Sequence, residues 1–285
     1  MKNLNYYYAI IVSVVLVALV SYFIYNIERR KESLFEHIRN NNFQEVKKMI
    51  DDKSFNLNFK YGKKNHSPLI CAIRKDNYKI VELLIEKGAD FQSFKLNGCY
   101  PLNSATAWNR HRIAKLLIEK GAKINVVTHI DGEYKTPLKY AAINGNAKIV
   151  QLLIKKGANL QSVNNNNILN EVLFFILTNY KKLNNNTIPK DADYLQVISL
   201  LLENKANCNL SYKFSFPLNR ACQINDLDIV RLLINSGANI NKKSLHPPFF
   251  TPLDFAVKNN QKQIIDLLRK HGAKTSKELK ADKVD

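Results

Sequence analysis

Six histidines (His37, His66, His111, His129, His246 and His271) and four cysteines (Cys71, Cys99, Cys208 and Cys222) are the residues of this 285-residue chain best suited to nucleophilic, redox or metal chemistry. Their spacing supports none of it. No two cysteines form a Cys-x-x-Cys pair, their separations are irregular, and no His-x-x-x-His pair occurs. Neither a disulfide framework nor a zinc site is indicated. His129 and His246 fall in long loops, each without a visible second ligand. Gly-x-Ser-x-Gly and a glycine-rich phosphate loop are also missing. Glu82, Glu86 and Glu119 recur at one helical edge, where a solvated face explains them better than a general acid–base pair. The sequence thus predicts no catalytic residue, no metal ligand, no cofactor and no small-molecule substrate.

What remains is recognition chemistry, and charge is the first thing to weigh. The formal net charge is +19, from 43 Lys and Arg against 24 Asp and Glu. Such an excess can mark a nucleic-acid or acidic-membrane partner. Here the basic residues are spread out, and the longest cluster is Arg29-Arg30-Lys31. No basic segment carries interleaved base-stacking aromatics. A lysine-rich composition on solvated faces is the better reading, and no nucleic acid is expected.

Residues 6–25 read YYYAIIVSVVLVALVSYFIY, a run of twenty with no charge, proline or glycine. A helix of that length spans about 30 Å, the thickness of a hydrocarbon core. Tyrosines at both ends suit the headgroup level. A cleaved signal peptide is the alternative, but Ala18-Leu19-Val20 makes a poor cleavage site. The expectation is an uncleaved single-pass anchor in residues 1–31, in contact with the bilayer through residues 6–25. The basic flank Arg29, Arg30 and Lys31 places the larger part in the cytoplasm.

Beyond the anchor the chain repeats. Pro-Leu recurs at Pro68, Pro101, Pro137, Pro217 and Pro252, and Gly-Ala follows each pair by 20 residues, at Gly88, Gly121, Gly157, Gly237 and Gly272. Apolar runs such as IVQLLIKKGAN join the two markers. In the clearest copy Thr136 is an N-cap and Pro137 opens a first short helix. Ala141 and Ala142 allow close approach, and Gly145 ends the helix. A second helix carries Ile149, Val150, Leu152, Leu153 and Ile154, an apolar face too broad to bury within one unit. Leu152 is expected to lie between stacked units. Gly157 supplies the left-handed stop, and a finger leads to the next copy. Such units need neighbours, so they stack.

These residues resemble the ankyrin repeat, with its Thr-Pro-Leu-His-x-Ala-Ala opening and Gly-Ala-Asp/Asn ending. The resemblance covers roughly residues 32–281 and implies an all-α solenoid of helix-turn-helix units with β-hairpin fingers. The boundaries are a cap at 32–65 and repeats at 66–98, 99–134, 135–167, 168–213, 214–250 and 251–281, with a tail at 282–285. The histidine usual after Pro-Leu is replaced by Ile70, Asn103, Lys139, Asn219 and Asp254. The threonine–histidine bond of the family is therefore expected to be lost, with a cost in stability. The unit at 168–213 holds an insert of about 17 residues near Asn179–Asp193, expected as a surface loop between its helices.

The resemblance also implies a partner protein on the concave face, made by finger tips and first helices. Carried over position by position, it singles out Trp108, Tyr140, Arg220 and Phe255 as a stripe along one face, with Lys75 and Lys258 at the rim. Residue types of this kind dominate interface cores. The finger INKKSLHPPFF offers a second apolar surface at Pro247, Pro248, Phe249 and Phe250. The expected function is a membrane-anchored, non-enzymatic interaction scaffold. The alternative is a secreted ankyrin-repeat effector of a host-associated bacterium, acting on a host protein.

Overall fold

The computed structural model describes residues 2–51, 55–62, 66–92, 100–130, 133–160, 168–183, 193–211 and 213–281. They form two bodies, residues 1–97 and 98–285.

In the first body, α1 (Lys2–Arg39) is one helix of 38 residues. The anchor and the first helix of the cap are therefore not separate elements. Nothing between them stops a helix: residues 26–33 contain no proline or glycine, and Lys31 pairs with Glu28 one turn back at 2.6 Å. Helix α1 changes character along its length. Ile11 to Tyr25 keep their large apolar side chains exposed, whereas Leu34, Phe35 and Ile38 are buried. The exposed part is long and apolar enough to cross a membrane. The buried part packs on α2 (Phe43–Ile50) and on α3 (Pro68–Arg74), and α2 packs on α4 (Tyr78–Glu86). Aromatic residues of the intervening finger grip the helix between these parts. The Arg30 guanidinium lies 5.2 Å from the Phe55 ring centre, and Lys31 Nζ lies 5.3 Å from that of Phe59.

The second body is a stack of helix pairs: α5 (Pro101–Ala107) with α6 (His111–Glu119), α7 (Pro137–Ile143) with α8 (Ala147–Lys155), α9 (Ile168–Leu183) with α10 (Tyr194–Glu203), α11 (Pro217–Ile224) with α12 (Leu227–Asn235), and α13 (Pro252–Lys258) with α14 (Lys262–Lys270). A short α15 (Glu278–Ala281) follows. The first helices pack in one row and the second helices in another. Local chemistry sets each element. The Thr136 hydroxyl accepts from Lys139 N–H at 3.1 Å, with Pro137 in the first turn. Gly157, at φ +87°, ends α8 in the left-handed region. Lys205 occupies the same place in the next unit at φ +63°, where a side chain is strained.

Several expectations need correction. Among the described residues only one finger is a β-hairpin, β1 (Thr128–Ile130) with β2 (Glu133–Lys135). Leu152 is half-buried; Leu153, one residue on, is the fully buried one. Part of the insert is helix rather than loop, because α9 continues to Leu183, while residues 184–192 lie outside the described residues.

The lost threonine–histidine bond is replaced in kind. Asn103 donates through Nδ2 to Thr128 Oγ1 and to Lys135 O, both at 3.3 Å. Asn219 does the same to Lys242 O and Phe250 O, at 3.3 and 3.0 Å. Asn170, at the equivalent position, donates to Leu210 O. Each buried amide ties the start of a first helix to the backbone of its own finger. Asp254 works through its oxygens. Oδ2 accepts from Thr251 N–H in a capping box and from Ser276 N–H at 2.9 Å. Lys139 is buried, with Nζ 3.0 Å from Glu171 Oε2 of the next unit.

A second set of asparagines stitches successive turns. Asn125 Nδ2 donates to Gly157 O while its Oδ1 accepts from Asn159 N–H. Asn209 repeats this with Gly237 and Asn239, and Asn241 with Gly272 and Lys274. In the first body Asn58 does so with Gly88 and Asp90.

Candidate partner-binding face

Proline at the start of α5, α7, α11 and α13 fixes their phase, so the third residue after it occupies an equivalent place in each of these units. Tyr140, Arg220 and Phe255 hold that place in α7, α11 and α13. Tyr140 is half-buried, with Lys135 Nζ 5.8 Å from its ring centre. Phe255 is also half-buried and meets Phe250 edge-on, with centroids 5.4 Å apart. Lys258 Nζ lies 5.6 Å from the Phe250 centroid. Both rings thus keep part of their surface in solvent while neighbours hold their orientation.

The other two members of the expected stripe behave differently. Arg220 is only 4% exposed, and its guanidinium carbon sits 4.6 Å from the Phe174 ring centre. Lys213 Nζ approaches the same ring at 4.1 Å. Arg220 is therefore a packing residue, because the inserted unit brings Phe174 alongside it. Trp108 is half-buried but out of register. It is the C-cap residue of α5, its N–H donating to Ser104 O at 3.0 Å, one helical turn beyond the place of Tyr140. Of the expected stripe, Tyr140 and Phe255 stand half-buried in matching places, with Trp108 offset.

The finger residues separate into a tip and a support. Pro247, Pro248 and Phe249 are exposed, and Phe250 turns inward against Phe255. The loop is closed by Ser244 N–H to Phe250 O at 2.9 Å and Phe249 N–H to His246 O at 3.0 Å. Leu245 N–H donates to Phe214 O at 2.8 Å, which joins this loop to the preceding finger. Phe214 is 63% exposed, its ring 5.6 Å from that of His246. Sequence reasoning missed Phe214. Its spacing gave the wrong signal: in an extended segment Phe214 and Phe216, two residues apart, would share a face, and the left-handed backbone of Lys213 and Phe214 is what separates them.

Among the described residues no three His, Cys, Asp or Glu side chains gather to hold a metal ion. Cys71, Cys208 and Cys222 are buried free thiols, and Cys99 lies outside the described residues. Burial pushes the Cys222 thiol up to about 12, far from a reactive thiolate. Across the second-helix row a groove of ≈ 660 Å³ runs between α6, α8 and α10, lined by Arg112, Lys115, Lys148 and the half-buried Leu152.

A family profile described as "Ankyrin repeats (3 copies)" matches residues 16–95, 34–129, 91–167 and 190–278. The chain belongs to the ankyrin-repeat family. It is 29% identical over 228 residues to the ankyrin repeat and KH domain-containing protein mask-1 of Caenorhabditis elegans, covering 73% of this chain and 8% of that protein. It is 30% identical over 122 residues to the phosphocholine transferase AnkX of Legionella pneumophila, covering 42% of this chain and 12% of that protein. The chain therefore spans a small fraction of these relatives. Among solved structures, the ankyrin-repeat domain of human ASB11 shares the fold, with TM-score 0.62, 19% identity, and coverage of 82% of this chain and 96% of that one. An ankyrin-repeat domain from Acinetobacter baumannii is similar at TM-score 0.60 and 26% identity, covering 73% of this chain and all of that one. Ankyrin repeats are protein-interaction modules, and this chain carries them over most of its length.

Proposed function

We propose that this ankyrin-repeat chain is a membrane-anchored scaffold that holds a partner protein without catalysing a reaction. The observation that carries the reading is the division of α1. Its N-terminal part exposes an apolar surface of membrane-spanning length, and its C-terminal part is the first packed helix of the repeats. A bilayer is the solvent that suits the first part. Because the helix is unbroken, the repeats begin about one turn beyond the basic flank Arg29, Arg30 and Lys31, a flank that favours the cytoplasmic side. The partner is held at Tyr140, Phe255 and Trp108, half-buried aromatics that are already oriented and lose little freedom on binding. A second reading, a secreted effector acting on a host protein, draws on the similarity to a Legionella protein.

Alkaline carbonate extraction of membranes from producing cells, followed by N-terminal sequencing, tests the anchor. The expected result is a chain that stays in the pellet with its N-terminus intact. A soluble chain, or mature protein beginning near Ser21, supports the secreted reading and overturns this one.

A further inference from the structure

The fingers before α11 and before α13 meet at an exposed apolar tip that the scaffold reading leaves without a role. Phe214, Leu245 and Phe249 are 63%, 52% and 50% exposed, and Pro247 and Pro248 stand beside them in solvent. Backbone hydrogen bonds from Leu245 to Phe214 and from Phe249 to His246 make these residues one surface. Both phenylalanines sit in the left-handed region, at φ +66° for Phe214 and +56° for Phe249. Bulky residues rarely adopt that conformation, and where they do the surrounding structure is holding them against strain. Here two of them are held so that their rings point into water, where an apolar ring gains nothing.

The charge around the tip has one sign. Residues 204–216 and 236–251 contain Lys205, Lys213, Lys242 and Lys243 and no aspartate or glutamate. The surface offers exposed side chains. A protein partner would need a matching pocket for each ring, with carboxylates arranged to meet the lysines. An anionic lipid surface meets both needs without a matching shape: lipids part around apolar side chains, and headgroup charge is continuous around them. The same chain also carries an apolar helix of membrane-spanning length, and a single weak membrane contact gains most when a second one accompanies it.

We propose that the tip formed by Phe214, Leu245 and Phe249 is a membrane-contact site that inserts between the headgroups of an anionic lipid surface. Phe214, Leu245 and Phe249 enter the headgroup–acyl boundary, and Lys242 and Lys243 lie over the phosphates. The tip adjoins the face carrying Phe255, because Phe250, next to Phe249 in the same loop, packs against Phe255.

The test uses the full chain with W108F and F249W, which leaves one indole, at the tip. It is reconstituted into phosphatidylcholine vesicles with or without about 30% phosphatidylserine, containing lipids brominated along the acyl chains. With phosphatidylserine the indole emission shifts to shorter wavelength and bromine quenches it. Both effects fall about tenfold in pure phosphatidylcholine or when K242E and K243E are added, with an unchanged thermal melt. An indole that stays at its aqueous wavelength, unquenched in every vesicle while the melt is intact, overturns the proposal and assigns the tip to a protein partner. Should F249W disturb the fold, L245W reads the same surface. A chain washed from the vesicles by alkaline carbonate contradicts the anchor only. It is then added to preformed vesicles, where tip quenching is read in the same way.

Discussion

The units at 135–167 and 214–250 present the same pair of helices and secure the residue after Pro-Leu by different chemistry. In the later unit Asn219 is fully buried and hydrogen-bonds to two carbonyls of its own finger. In the earlier one Lys139 is buried and faces a carboxylate, Glu171, that belongs to the next unit. In these two units a donor reaches from the start of the first helix into polar surroundings, and amide or ammonium supplies it. The consequences for cooperativity differ. The asparagine makes a unit self-sufficient, whereas the ion pair makes two units interdependent. In a repeat array, stability is a sum of unit and interface contributions, so only the second device couples neighbours.

Breaking the ion pair should have the largest effect. Lys139→Ala removes the partner of a buried carboxylate and should cost about 3–5 kcal/mol. A charge left in a low-dielectric interior is far more expensive than a missing contact. The combined change K139M/E171L should recover most of that loss, because apolar residues of similar volume often replace a buried pair without penalty. Urea titrations of the two variants in detergent decide the matter. Equal destabilisation by both would mean that the two side chains do not act as a pair.

Asn219→Ala should cost less, about 1–2 kcal/mol, since it frees two finger carbonyls that water can partly reach. Among the described residues the amide oxygen of Asn219 meets no hydrogen-bond donor, which further limits what the residue contributes. Hydrogen exchange should rise locally at residues 242–250 and stay unchanged across 135–176. Exchange spreading into the earlier units would blur the contrast with Lys139.

The smallest effect has the opposite sign. Lys205 occupies the left-handed stop that Gly157 and Gly237 fill elsewhere. Lys205→Gly should stabilise the unit at 168–213 by about 1 kcal/mol, by relieving backbone strain. A thermal melt that rises by a few degrees is the expected reading. No rise would mean that the side chain of Lys205 contributes as much as its backbone costs.

Most of the fold was legible in the sequence, because Pro-Leu and Gly-Ala report the two helix boundaries that matter: a fixed φ at the start and a left-handed residue at the stop. The Thr136 cap and the turn at Gly157 follow from the residues alone. What was not legible depended on neighbours. Arg220 is chemically typical of an interface, but Phe174 of the inserted unit covers it. The continuity of α1 was missed because a change from apolar to charged residues marks a change of solvent, not a helix end. The stitching asparagines were readable in principle. Asn125, Lys205 to Asn209 and Gly237 to Asn241 share a four-residue spacing from the turn. Asparagine is so common in this chain that the recurrence hides in the composition.

On the proposed function, the repeats hold a partner protein on the face carrying Tyr140 and Phe255. A photo-crosslinking phenylalanine derivative placed singly at Tyr140, at Phe255, and at Gln151 on the opposite row in the full chain tests it directly in native membranes. One adduct of the same mass is expected from Tyr140 and Phe255, and none from Gln151. Adducts from Gln151 alone, or none from either ring position, would contradict it.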